Sequence, residues 1–117
     1  MAVKRIVPHV ATEDIAGVHQ FYADLFGLEK IMDHDGRIIT LAPAGSGRVQ
    51  IMIAREGGSG TPVPDMSIEV SDVDATYAKA REMGVEITYD ITDEPWGVRR
   101  FYLRDPAGKL LNVLSHI

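Results

Sequence analysis

Two stretches of this chain follow one plan, and an internal repeat narrows the possible folds more than any single motif does. In the first stretch an apolar-rich run over 5–10 leads into Thr12 and Asp14, either of which can cap a helix. Ile15, Val18, Phe21 or Tyr22, and Leu25 then recur at the spacing of an amphipathic helix, and Gly27 ends it. Short apolar runs over 28–32, 37–41 and 48–54 follow, separated by Asp33-His34-Asp35-Gly36 and Pro43-Ala44-Gly45-Ser46-Gly47, so they read as three strands with tight turns. In the second stretch 65–70 alternates polar and apolar residues. Ser71 or Asp72 can cap a helix with Val73, Tyr77, Ala80 and Met83 on one face, and Gly84 closes it as Gly27 closed the first. A strand over 85–89 and a hairpin built on Asp105-Pro106-Ala107-Gly108 complete it, with Pro95 and Gly97 bounding the hairpin's entry.

Both stretches read β-α-β-β-β, and Pro-Ala-Gly precedes the last strand of each. Between them Glu56 to Pro64 has the composition of a flexible linker stiffened at its end by two prolines. The expected architecture is α+β: two tandem modules, 1–55 and 65–117, forming a cupped mixed sheet within one domain of 1–117, with the helices on the outer face. Strand alternation then sorts the side chains. Val49, Ile51, Ile53, Met66, Ile68 and Val70 belong under the helices. Arg5, Val7, His9, Arg48, Gln50, Met52, Asp65, Ser67, Glu69, Leu110, Asn112 and Leu114 belong on the concave face, where a polar-lined groove would lie.

Composition removes several functions. The chain has no cysteine, which excludes a disulfide framework, a thiolate metal site and a cysteine nucleophile. No run approaches about 18 apolar residues, and Met1-Ala2-Val3-Lys4-Arg5 leads straight into a strand-like run, so a cytoplasmic protein without a membrane partner is expected. A formal charge of −5 argues against nucleic acid, whose binding draws on clustered Lys and Arg. A neutral or cationic small ligand suits that sign better.

Phe21-Tyr22-x-x-Leu25-Phe26-Gly27-Leu28, Ile68-Glu69-Val70-x-Asp72-Val73-Asp74-Ala75, and Trp96-Gly97 through Asp105-Pro106-Ala107-Gly108-Lys109 to Asn112 together resemble the vicinal oxygen chelate superfamily. That superfamily takes in glyoxalase I, extradiol dioxygenases, fosfomycin-modifying enzymes and bleomycin-resistance proteins. The resemblance implies a homodimer and, in catalytic members, a divalent metal held by His and Glu side chains at four strand positions. Matched along this chain those positions are Val7, Gln50, Asp65 and Asn112. Val7 cannot ligate and the two amides are weak donors for Zn²⁺, Ni²⁺ or Fe²⁺, so no cofactor is expected.

The first expectation is therefore a glyoxalase/bleomycin-resistance-like protein that binds a small cationic or aromatic molecule without the usual metal. Its ligand would meet Arg48, Gln50, Asp65, Ser67, Trp96, Arg100 and Asn112. Trp96 offers a large π face, and Arg99 and Arg100 point to opposite faces of a regular strand, with Arg100 toward the groove. The alternative is a glyoxalase-type lyase or a dioxygenase with a displaced divalent metal ion on His9, Asp65 and Glu69, in which Glu69 or His9 moves a proton. A non-catalytic structural or regulatory domain is the third reading, and whether the chain is an enzyme stays open at this level.

Overall fold

The computed structural model describes residues 2–47 and 49–117. The repeat is present in it. The elements run β1 (Val3–Ala11), α1 (Ile15–Phe26), β2 (Glu29–His34), β3 (Ile38–Ala42) and β4 (Ile51–Ala54). They continue with β5 (Met66–Val70), α2 (Val73–Glu82), β6 (Ile87–Glu94), β7 (Val98–Arg104) and β8 (Leu110–His116). The protein is α+β, with two β-α-β-β-β modules in mixed sheets, as the sequence indicated.

The chain divides into two compact units, Val7–Val63 and Met1–Ile6 with Pro64–Ile117, so the opening residues of β1 associate with the second module. Ser71 fixes them there: its hydroxyl accepts from the Ala2 N–H and its own N–H donates to the Ala2 carbonyl, both at 2.8 Å.

In the Val7–Val63 unit β3 lies antiparallel between β2 and β4, and β4 runs parallel to β1. Ile39, Leu41 and Ile53 are buried against Ile15 of α1, with Val10, Val18, Tyr22, Leu28 and Ile51 packed around them. Asp14 caps α1 by accepting from the Gly17 N–H at 2.9 Å, and Gly27 closes it at φ 69°. That backbone is one a Cβ disfavours, which is why glycine ends the helix. Tyr22 rather than Phe21 faces this core; Phe21, Leu25 and Phe26 remain exposed. The strand expected over 48–54 begins only at Ile51, and just before it the Gln50 side chain donates back to the Gly47 carbonyl at 2.7 Å.

In the other unit β5 runs parallel to β8, β7 pairs antiparallel with β8, and β6 with β7. Asp72 caps α2 by accepting from the Ala75 N–H at 3.0 Å. Val70, Val73, Ala80, Phe101 and Val113 form the core between α2 and its sheet. Met83, expected on that packing face, is exposed because α2 ends at Glu82; Val85 takes up the packing, its N–H bonded to the Ala80 carbonyl.

Candidate functional site

The face of the Pro64–Ile117 sheet turned away from α2 gathers the polar side chains. Alternation does the sorting: Phe101 and Val113 go to the core, so Arg100, Tyr102 and Asn112 go to the opposite face. Tyr102 pairs with Asn112 and Asn112 with Ser67, making one lateral row across β7, β8 and β5. All three are buried, and the Asn112 amide donates to the Ser67 hydroxyl at 2.9 Å. The other amide atom, Oδ1, is also buried and has no hydrogen-bond partner. An acceptor in that state costs on the order of 1–3 kcal/mol in lost hydration.

Beside this row stands a closed ionic cluster. Arg100 Nε donates to Glu94 Oε2 at 2.6 Å, and both side chains are only 3% exposed. The Tyr89 hydroxyl donates to the same carboxylate oxygen at 3.1 Å, and Arg100 Nη1 donates to the Tyr102 hydroxyl at 3.2 Å. The guanidinium carbon lies 5.3, 5.0 and 5.1 Å from the ring centres of Tyr89, Trp96 and Tyr102. Three π faces and one carboxylate thus compensate a cation removed from water. Two irregularities in the β6–β7 pairing, on either side of Tyr89, set Tyr89 opposite Tyr102.

A second ionic group surrounds Glu69 of β5. One of its oxygens lies 3.2 Å from Arg5 Nε and the other 2.9 Å from His116 Nδ1. The carboxylate is therefore engaged on both sides. Arg100 is paired with Glu94, and Arg48 lies outside the described residues.

Asp65 is exposed just before β5, where Oδ2 accepts from the Leu110 N–H at 2.8 Å and its own N–H donates to the Leu110 carbonyl, so it aligns β5 with β8. Trp96 sits on the turn between β6 and β7, 46% exposed, with Gly97 at φ 91° beside it. His9 and Gln50 belong to the Val7–Val63 unit; His9 pairs with Met52 and Met52 with Thr40, a row corresponding to Ser67, Asn112 and Tyr102. Arg99 points away from Arg100, to Asp74 of α2 and Asp93.

Sequence reasoning did not single out Glu94, Tyr89 or Tyr102. Tyr102 carries a usable signal, since it stands two residues from Arg100 on the same strand and must share its face. Glu94 and Tyr89 carry none, because the irregular pairing of β6 breaks the period-two pattern.

The donor set on this face does not fit a divalent metal. Asn112 and Ser67 are neutral and bonded to each other, and Glu69 and Glu94 each lie against an arginine whose charge opposes a nearby cation. Among the described residues no group of three or more His, Asp or Glu side chains gathers as ligands. No described helix is long and apolar enough to cross a membrane.

Residues 3–113 match the Glyoxalase/Bleomycin resistance protein/Dioxygenase superfamily. The chain belongs to that superfamily. An uncharacterized protein of Mycobacterium bovis is 29% identical over 117 residues, covering 86% of this chain and 76% of the relative. Among solved structures, a superfamily member from Vibrio splendidus superposes with a TM-score of 0.71 at 19% identity, covering 97% of this chain and 99% of the other. An NAD-dependent benzaldehyde dehydrogenase from Legionella pneumophila superposes with a TM-score of 0.76 at 14% identity, covering 96% and 99%. At such identities the likeness establishes the fold and leaves the chemistry to this chain's own residues.

Proposed function

We propose that this superfamily member binds a small uncharged molecule on the polar face of its Pro64–Ile117 unit, and that it does so without a metal. The observation that carries the reading is the Asn112 amide oxygen, buried and unpartnered in the middle of that face. An N–H or O–H of a ligand supplies the missing donor, and the site then rejects analogues lacking it, since the acceptor would be left unpaired again. Charge balance supports the same reading. Arg100 stands against Glu94 and Arg5 against Glu69, which leaves no excess of either sign to select an ion. A metal-free binder is also the role for which the paired, neutral donor set is suited.

Two measurements test this. The first is elemental mass spectrometry of chelator-treated protein after incubation with Zn, Ni, Mn and Fe salts; near-stoichiometric retention of any of them, lost in Glu69→Gln, would sink the metal-free reading. The second is a thermal-shift screen of neutral molecules bearing one N–H or O–H, run in parallel on Asn112→Leu. Stabilisation of the parent protein that disappears in the variant is expected, and equal stabilisation of both overturns the assignment. The association state belongs to the same proposal: a homodimer is supported by the exposed Phe21, Leu25 and Phe26 of α1, and sedimentation giving a monomer at high concentration would remove it.

A further inference from the structure

We infer that Trp96 forms a stacking platform for uncharged planar groups and that Arg100 sets this preference by occupying one face of the indole. The site is distinct from the Asn112 acceptor and does not depend on it.

Trp96 is the single tryptophan of the chain and is 46% exposed, although it sits on a turn where a small or polar residue would serve. Its ring lies 5.0 Å from the Arg100 guanidinium, so one π face is already engaged with a cation. That cation is held from several sides. Glu94 grips its Nε at 2.6 Å, Tyr102 accepts from its Nη1, and the rings of Tyr89 and Tyr102 close around it. The turn is held as well: the Gly97 N–H donates to the Glu94 carbonyl at 3.1 Å and the Gly97 carbonyl accepts from Ile117 at 2.9 Å. The indole therefore has a positive charge over one face and a surface that water still reaches.

A free indole attracts planar cations because its π electrons are negative on both faces. Here the electron density is drawn toward Arg100, and a second cation on the opposite face meets both a weakened quadrupole and a like charge. Uncharged planar rings lose nothing of this kind, since their stacking rests on dispersion and buried area. The platform consequently selects neutral aromatic or amide-bearing rings over pyridinium-like or ammonium-bearing ones.

The test compares nicotinamide with its N-methylated pyridinium, two probes sharing a ring and differing in charge. The readout is the indole N–H cross-peak of Trp96 in nitrogen–proton correlation spectra, which a single tryptophan makes unambiguous. N-acetyltryptophanamide gives the preference of an indole without Arg100. Nicotinamide is expected to shift the Trp96 resonance saturably and at least about threefold more tightly than the pyridinium, the reverse of the free indole. In the double variant Glu94→Gln with Arg100→Met, which removes both charges together and so leaves neither unpaired, the preference should return to that of the free indole. In Trp96→Leu, saturation transfer to nicotinamide should vanish. The inference is overturned if the parent protein shows the free indole's preference, if neither probe moves the Trp96 resonance beyond its effect on the free indole, or if the double variant, folded by circular dichroism, keeps the discrimination. Failure here leaves the Asn112 assignment standing, because that assignment is read on Asn112→Leu with donor-bearing ligands.

Discussion

The Glu94 carboxylate accepts from Arg100 Nε at 2.6 Å with both side chains 3% exposed, so the two charges form a buried ion pair. Removing either partner strands a buried charge, at a cost of about 3–5 kcal/mol. Glu94→Gln and Arg100→Met should each be strongly destabilising in urea unfolding. The double variant should recover a large part of the loss, and a coupling energy near zero in that cycle would contradict the pairing.

Asn112 predicts a separation of stability from binding. Its amide oxygen makes no hydrogen bond, so Asn112→Leu removes an unsatisfied acceptor and loses only the bond to Ser67. Unfolding free energy should change by less than about 1 kcal/mol, because the lost bond and the relieved desolvation offset each other. Ligand-induced stabilisation should disappear in the same variant. A large loss of stability would mean that the side chain is structural instead.

Acid titration should reveal a link between α2 and β6. The Tyr77 hydroxyl donates to Asp90, and with the Ile91 N–H it holds the Asp90 carboxyl below the ordinary carboxylate range. A carboxyl whose folded value is depressed stabilises fully above the unfolded value of about 3.9, and that contribution is lost as pH falls through the lower folded value. In Tyr77→Phe the Asp90 midpoint, followed by carboxyl NMR, should rise toward the ordinary range. The fall in stability below about pH 4 should become shallower, and an unchanged midpoint would rule the link out.

The second helix depends on its cap. Asp72 accepts from the Ala75 N–H at 3.0 Å, and Asp72→Ala should cost about 1 kcal/mol in chemical denaturation. Asp72→Asn should retain most of that stability, since the amide oxygen can accept the same bond; equal losses in the two variants would assign the effect to charge rather than to capping.

Much of this protein was legible before any coordinates. The repeat, both helix starts, the glycine that ends α1 and the split between core and polar faces follow from residue order, because caps, turns and side-chain alternation act over a few residues. Alternation also placed Ser67, Asn112 and Arg100 on one face of one sheet. What alternation could not supply was pairing. Glu94 and Tyr89 reach Arg100 because β6 pairs irregularly with β7, and Glu69 meets Arg5 and His116 because separate strands bring them together. Asp65, on the expected face by parity, instead turns to the β8 backbone, and Gln50 leaves β4 to bond Gly47. The sequence by itself determined which elements form and which way their side chains face, since those preferences are local. The tertiary structure alone decided which charges are spent on one another and which polar atom is left without a partner, because such balances depend on groups far apart in the chain and are settled only when burial removes the water that would otherwise satisfy them.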